Sequence, residues 1–148
     1  IRLNDDGSVK NFVMNDKCAA GTGRFLEMMA RTMEMSLDEL SKVGLSYQED
    51  ITISSMCTVF AESEVVSLIA QNKATDDIVH GLNKAVAAKT ASLVKRVGGE
   101  EAYMMTGGVA QNQGLVKTLE ERLGTKLVIS DKSQLCGALG AALFATEM

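Results

Sequence analysis

"AYMMTGGVAQNQGLVKTLEERLGTKLVI", Ala102 to Ile129, decides the fold. The apolar run Ala102–Met105 predicts a buried strand, and Gly107-Gly108 predicts a tight turn. Helical spacing of apolar residues follows from about Ala110 to Leu123, and Gly124 stops it. Lys126 to Ile129 then reads as a second strand. A strand, a glycine turn, a helix and a strand in that order indicate an α/β layer structure.

The pattern extends outward in both directions. "IRLNDDGSVKNFVMND" reads as a hairpin turning at Asp6-Gly7. One short sheet is expected to hold that hairpin together with the strands at Ala102–Met105 and Lys126–Ile129. A helix is expected from Arg24 to Met35, carried by Phe25, Leu26, Met29 and Met33. Ser36 with Glu39 forms a capping box for a short second helix. Another helix opens at Cys57, with Ala61, Val65, Leu68 and Ile69 on its apolar face. Thr75 is expected to cap a long helix whose buried stripe is Ile78, Leu82, Val86, Leu93 and Val97, with Gly98 as its stop. The final helix, from about Leu135 to Ala145, carries Gly137, Ala138, Gly140, Ala141 and Ala142, a composition suited to close packing.

Composition narrows the function classes. At 148 residues the chain can build one domain with a real core. Its net charge of -4 and the absence of any basic run longer than a pair make nucleic acid and anionic membranes poor partners. No apolar segment reaches the ~18 residues of a membrane span. Three cysteines without short spacing argue against a disulfide framework and for a reducing compartment, the cytoplasm. Nine methionines against four phenylalanines and no tryptophan predict a core of flexible aliphatic side chains. The start "IRLNDDG", without methionine, reads as part of a longer protein.

Three signals carry chemistry. "TGGV" between strand and helix lets backbone approach a flat ligand or a phosphate; its bland reading is a tight turn. "NDKCAAGTGRF", Asn15 to Phe25, sets Cys18 just before a helix, where the dipole favours a thiolate. That thiolate could be a nucleophile, a redox thiol or a metal ligand, or Cys18 could be a small buried residue. "SSMCTVFAESE" repeats the arrangement at Cys57. The sole histidine, His80, lies inside a helix with no motif around it and reads as structural, so a cysteine–histidine hydrolase is disfavoured. Cys136 reads as buried filler, and Glu62 and Glu64 as residues favourable to a helix dipole. A four-ligand site cannot be assembled convincingly from Cys18, Cys57 and Cys136 of one chain, whereas two ligands from each of two chains would complete it.

Taken together, "NDKCAAGTGRFLE", "SSMCTVFAESEV", "MTGGVAQN" and "GALGAALFA", in this order, resemble the activator ATPases of 2-hydroxyacyl-CoA dehydratases and the related ATPase subunits of benzoyl-CoA reductase. The resemblance implies an actin-like ATPase fold, with two ribonuclease-H-like domains holding nucleotide between them. This chain would be the C-terminal part, a mixed sheet with helices packed on it. It further implies that Cys18 and Cys57 bind a four-iron four-sulfur cluster shared by the two subunits of a homodimer. Gly21, Thr22 and Gly23 would join the cofactor-binding set, and Gly107, Gly108, Gln111 and Asn112 would lie against the nucleoside of ATP or ADP, with magnesium bound in the longer protein. Reduced ferredoxin or flavodoxin would donate electrons, and a dehydratase or reductase component would receive them. "GALGAA" matches the hinge helix between the two domains. Two other readings stand beside this one: an actin-like sugar-type kinase half-domain with incidental cysteines, and a non-enzymatic zinc-binding module.

In the family pattern the main phosphate contacts and catalytic aspartates lie outside these residues. The 148-residue chain alone is therefore expected to bind ATP weakly and not to hydrolyse it. Calorimetric titration decides this, and tight magnesium-dependent binding would contradict the expectation.

Overall fold

The computed structural model describes residues 1–15, 19, 21–54 and 57–146. Strands β1 (Arg2–Leu3) and β2 (Val9–Asn11) form the antiparallel hairpin. Asp6 Oδ1 accepts the Ser8 amide at 2.9 Å, which closes the turn around Gly7. Helices α1 (Gly23–Thr32), α2 (Leu37–Val43), α3 (Thr58–Ala70) and α4 (Thr75–Val97) follow. Strand β3 (Tyr103–Met104), a 3₁₀ turn (Gly108–Gln111), α5 (Gln113–Leu123), β4 (Leu127–Val128) and α6 (Cys136–Thr146) complete the order.

Helix α4 is the spine. Its 23 residues give it a length of about 34 Å. Ile78, Val79, Leu82 and Val86 are buried along it. Phe25, Leu26 and Met29 of α1, Leu40 of α2, Ala61 and Val65 of α3, and Leu115 and Leu119 of α5 complete one contiguous core. Met28, Met33, Met35 and Met105 pack at its margin, where an unbranched side chain fits irregular gaps. Asp77, in the first turn of α4, accepts the amides of Gln48 and Glu49 at 2.7 and 2.9 Å. Those two bonds to the charged form hold its carboxyl below the usual range and tie the loop before α3 to the spine. The expected stops hold: Gly98 and Gly124 adopt the left-handed conformation after α4 and α5. The capping box holds as well, with Ser36 Oγ accepting the Glu39 amide and Glu39 accepting the Ser36 amide at 2.7 Å.

The α/β class is as expected, with four differences in detail. The strands form two sheets rather than one, the β1–β2 hairpin and a parallel β3–β4 pair. A cavity of about 680 Å³ lies between the two sheets, lined by Arg2 and Leu3 on one side and Tyr103 and Met104 on the other. The expected buried strand is short and half-open, with Met104 61% exposed. Thr75 is the first helical residue of α4, after Ala74, and makes no side-chain cap. Helix α6 buries none of its residues, and the space beside Gly137 and Gly140 is open. Its small side chains therefore serve no close contact among the described residues.

Close approach occurs instead at α5. A Cβ on Gly114 would stand 2.6 Å from Asn83 Nδ2 and 3.1 Å from the Ser41 carbonyl oxygen. The second neighbour is backbone and yields little. Gly114→Ala is therefore expected to lose roughly 1–3 kcal/mol through overpacking. Gly137→Ala, entering open space in a helix interior, is expected to be neutral or to gain up to ~1 kcal/mol from helix propensity. Thermal melting of both variants checks the contrast.

Candidate nucleotide cleft and cysteine-bearing helix starts

The turn after β3 is built from below. Ser41, buried on α2, accepts the Gln113 amide at 2.8 Å, and its hydroxyl lies 3.5 Å from the Gln111 carbonyl. Asn112 Oδ1 accepts the Leu115 amide at 2.8 Å and caps α5. Gly107 has φ of 90°, a conformation that L side chains rarely adopt, and its amide donates to the Ser133 carbonyl at 2.8 Å. Gly108 has Gln134 directly over the place a Cβ would take. The two glycines thus let the chain turn between β3 and residues 133–134.

Helix α1 begins against this turn. Gly23 lies close to Val109, and a Cβ there would stand 3.2 Å from that side chain. The result is a cleft of about 480 Å³ whose walls include Gly23, Leu26 and Glu27 of α1, Ser41 of α2, and Gly108, Val109, Gln111, Asn112 and Gln134. That volume lies within the usual range for small-molecule sites. Four candidates chosen from the sequence, Gly23, Gly108, Gln111 and Asn112, therefore share one wall system. Gly107 directly precedes Gly108 without lining the cleft, and Gly21 and Thr22 precede Gly23 in the same way. Gly21 takes φ of 77° beside Lys89. The Thr22 hydroxyl donates to the Ala19 carbonyl and does not cap α1. Asn112 serves first as a helix cap, a structural role the sequence reading did not assign to it. Ser41, Glu27 and Gln134 were missed as cleft walls, because nothing in their local sequence distinguishes them from ordinary helix and loop positions.

The second candidate feature is Cys57. It is exposed and occupies the N-cap position of α3, with no side-chain cap bond. Cys18 lies outside the described residues. Among the described residues, no group of three histidine, cysteine or acidic side chains could hold a metal. An exposed sulfur donor beside the amides of a helix start suits a soft, anionic metal–thiolate unit, so Cys57 fits the cluster that the family pattern implies. Cys136 is a correction to the filler reading: it is half-buried at the start of α6, with its thiol 3.7 Å from the Lys132 carbonyl. Glu62 and Glu64 are also more specific than dipole residues. Glu62 accepts the Thr32 hydroxyl of α1 at 3.1 Å, and Glu64 accepts the Ser54 amide at 3.1 Å.

The chain belongs to the BadF/BadG/BcrA/BcrD ATPase family. The family profile matches residues 1–145. The 2-hydroxyisocaproyl-CoA dehydratase activator of Clostridioides difficile is 48% identical over 147 residues, which are 99% of this chain and 55% of that protein. The activator of lactoyl-CoA dehydratase of Anaerotignum propionicum is 48% identical over 99% of this chain and 57% of its own length. A solved structure of the Clostridium difficile 2-hydroxyisocaproyl-CoA dehydratase activator, with bound ADPNP, matches with a TM-score of 0.94 at 47% identity over 99% of this chain and 55% of that one. The chain thus spans about half the length of the curated relatives it matches. No described helix is long and apolar enough to cross a membrane.

His80 takes a structural place on α4. Its ring stacks on Tyr47 with centroids 3.5 Å apart, and Asp50 Oδ1 lies 3.7 Å from Nε2. Burial pushes its pKa below 6.5 and Lys84 adds to this, while Asp50, Glu121 and Asp77 oppose it. The unfolded chain therefore binds this proton more readily than the folded one. Stability is fully present above about pH 6.5 and is lost as pH falls from there toward the folded value. The carboxylates with shifted pKa values titrate below their ordinary values of 3.8 to 4.5, which leaves pH 6.5 to 5 to His80. The melting temperature is expected to fall over that window. His80→Phe, which keeps a ring beside Tyr47, is expected to flatten the fall, and melting curves at stepped pH measure both.

Proposed function

We propose that this protein is the ATP-dependent activator of a 2-hydroxyacyl-CoA dehydratase, a cytoplasmic component that delivers low-potential electrons, with this chain as its C-terminal domain. A dehydratase is the favoured acceptor over a reductase, because relatives at 48% identity are named dehydratase activators. Electrons would come from reduced ferredoxin or flavodoxin. The observation that carries the reading is the exposed Cys57 at the start of α3, on the same folded unit as a nucleoside-sized cleft. A sugar-type kinase would account for the cleft and leave the exposed cysteine without a task. A zinc module would account for the cysteine and leave the cleft without one.

Each residue has a task in this reading. Gly108 and Gly23 let backbone approach the nucleoside, and Gln111 supplies an amide at the cleft wall. Ser41 and Asn112 hold the turn in place from behind. Magnesium and the phosphates of ATP or ADP would be held mainly by residues outside this chain. Cys18 and Cys57 of each of two subunits would hold one four-iron four-sulfur cluster, with the helix amides offsetting its negative charge. The cluster supplies one-electron transfer at a potential tuned by charge and solvent exposure. Helix α1 connects the two sites, because its first residues line the cleft and its last, Thr32, bonds to Glu62 of α3. A tilt of α1 on nucleotide exchange would thus be felt at α3.

Iron analysis of the full-length protein, reconstituted without air, tests the reading. About four irons per dimer are expected for one cluster on four thiolates. Cys18→Ser and Cys57→Ser are each expected to lose the iron, and Cys136→Ser to keep it. Four irons per monomer, or iron that survives either of the first two changes, would overturn the shared cluster.

A further inference from the structure

Thr58 is the first residue of α3 and directly follows Cys57. It is only 9% exposed, and its hydroxyl finds no hydrogen-bond partner among the described residues. Other helical hydroxyls of the chain turn back to the carbonyl four residues earlier. Thr32 reaches Met28 at 3.1 Å, Thr90 reaches Val86 at 3.0 Å, Thr118 reaches Gly114 at 2.8 Å and Ser63 reaches Val59 at 3.2 Å. For Thr58 the corresponding residue is Ser54, which lies outside the helix and whose amide and hydroxyl are held by Glu64. The Cys57 carbonyl accepts the Ala61 amide at 2.9 Å, and Glu62, one turn on, accepts the Thr32 hydroxyl. The threonine before α1 is different, because the amide and hydroxyl of Thr22 both bond to the Ala19 carbonyl. A buried hydroxyl without an acceptor costs stability, and a fold that keeps one needs a reason.

We propose that the Thr58 hydroxyl donates a hydrogen bond to a sulfur of the iron–sulfur cluster and so helps to set its reduction potential, an assignment that rests on the shared cluster proposed above. Position comes first: Thr58 is the residue next to the Cys57 thiol. Direction agrees with position. Helical side chains lean toward the helix N-terminus, so the hydroxyl of a first-turn residue lies toward the start of α3, where Cys57 stands. Chemistry supplies the acceptor that the fold lacks. A hydroxyl carries one hydrogen to donate, and the thiolate and sulfide sulfurs of a cluster are anionic acceptors. Reduction adds a negative charge to those sulfurs. A hydrogen bond to them is therefore stronger in the reduced state, which raises the potential. The amides of the helix start act in the same sense, but they belong to the backbone, whereas the Thr58 donor belongs to a side chain and can be removed alone.

Redox titration of the full-length protein, reconstituted with iron and sulfide without air, tests the assignment. Thr58→Val keeps the side-chain shape and is expected to retain the iron while its midpoint potential moves to more negative values. Thr58→Ser keeps the hydroxyl and is expected to stay nearer the wild type. Thr90→Val, which removes a hydroxyl bonded within α4, is expected to leave the midpoint where it is. Melting of the chelator-stripped proteins separates the assignment from a role in the fold. Because the hydroxyl has no acceptor there, stripped Thr58→Val is expected to melt at or above the wild-type temperature. Equal midpoints in wild type and Thr58→Val would overturn the assignment, as would an equal shift in Thr90→Val. A lower melting temperature of stripped Thr58→Val would overturn it too, by showing that the hydroxyl is bonded within the fold. Iron lost from Thr58→Val and kept in Thr58→Ser, with melting unchanged, would support it, whereas iron lost from both would overturn it as a packing effect. A wild type that takes up no iron would overturn the shared cluster and this assignment together, while iron uptake with unmoved potentials would overturn this assignment alone.

Discussion

The close approach of α5 to α4 at Gly114 is the constraint from which the cleft follows. Asn83 on α4 is fully buried at this contact, and neither atom of its side-chain amide finds a hydrogen-bond partner. A buried amide left this way costs about 1–3 kcal/mol. The apolar contacts of Leu82, Leu115 and Leu119 around it, and the bonds from Ser41 and Asn112 to the first turn of α5, offset that cost. With α5 seated on α4 and tied to α2, the turn at residues 107–112 has one place to lie. Helix α1, packed into the same core through Phe25, Leu26 and Met29, then closes the cleft from the other side.

The starts of the five helices α1 to α5 separate into two kinds. Helices α2 and α5 begin with side-chain caps, Ser36 with Glu39 in one case and Asn112 in the other. Helices α1, α3 and α4 begin at Thr22, Cys57 and Ala74 without any side-chain cap bond. An α-helix leaves its first amides without intrahelical partners, and those amides carry partial positive charge. Two of these three, the starts of α1 and α3, follow the cysteine motifs, whereas α4 carries Asp76 and Asp77 in its first turn. An anionic group near the starts of α1 and α3 would do the work that Ser36 and Asn112 do elsewhere in the chain.

Much of this was legible in the sequence because local rules and tertiary packing agree. The helical spacing in α4, its glycine stop and the capping box of α2 appear where apolar periodicity and turn chemistry put them. The glycine pair at Gly107-Gly108 marked the cleft, because only a strand-to-helix junction with special backbone needs it there. What was not legible depends on distant partners. Nothing near Ser41 announces that its hydroxyl meets Gln113, seventy-two positions away. The sheet failed for a related reason: strand propensity identifies the segments but not their neighbours, and β1 stands apart from β3 across a cavity. The small residues of α6 signalled close packing, yet the described residues offer no surface against Gly137 and Gly140. Cys136 shared that misreading, because its apolar neighbours in sequence are exposed in the fold.

The carboxylates of α3 connect these themes. Glu62 and Glu64 sit two positions apart and point to different partners, the end of α1 and the loop before Cys57. Two such anchors fix the rotation of α3 about its own axis, since turning the helix would pull both away from their donors. The rotation in turn decides which side faces outward. With both charges held inward, the side left over is the neutral row from Val59 to Ala70. Hydrophobic burial alone would not have selected it, because apolar residues occur on both sides of α3 and either could have faced the core. The polar bonds supply the choice, and they do so at the one helix that joins the exposed cysteine to α1 and, through α1, to the cleft.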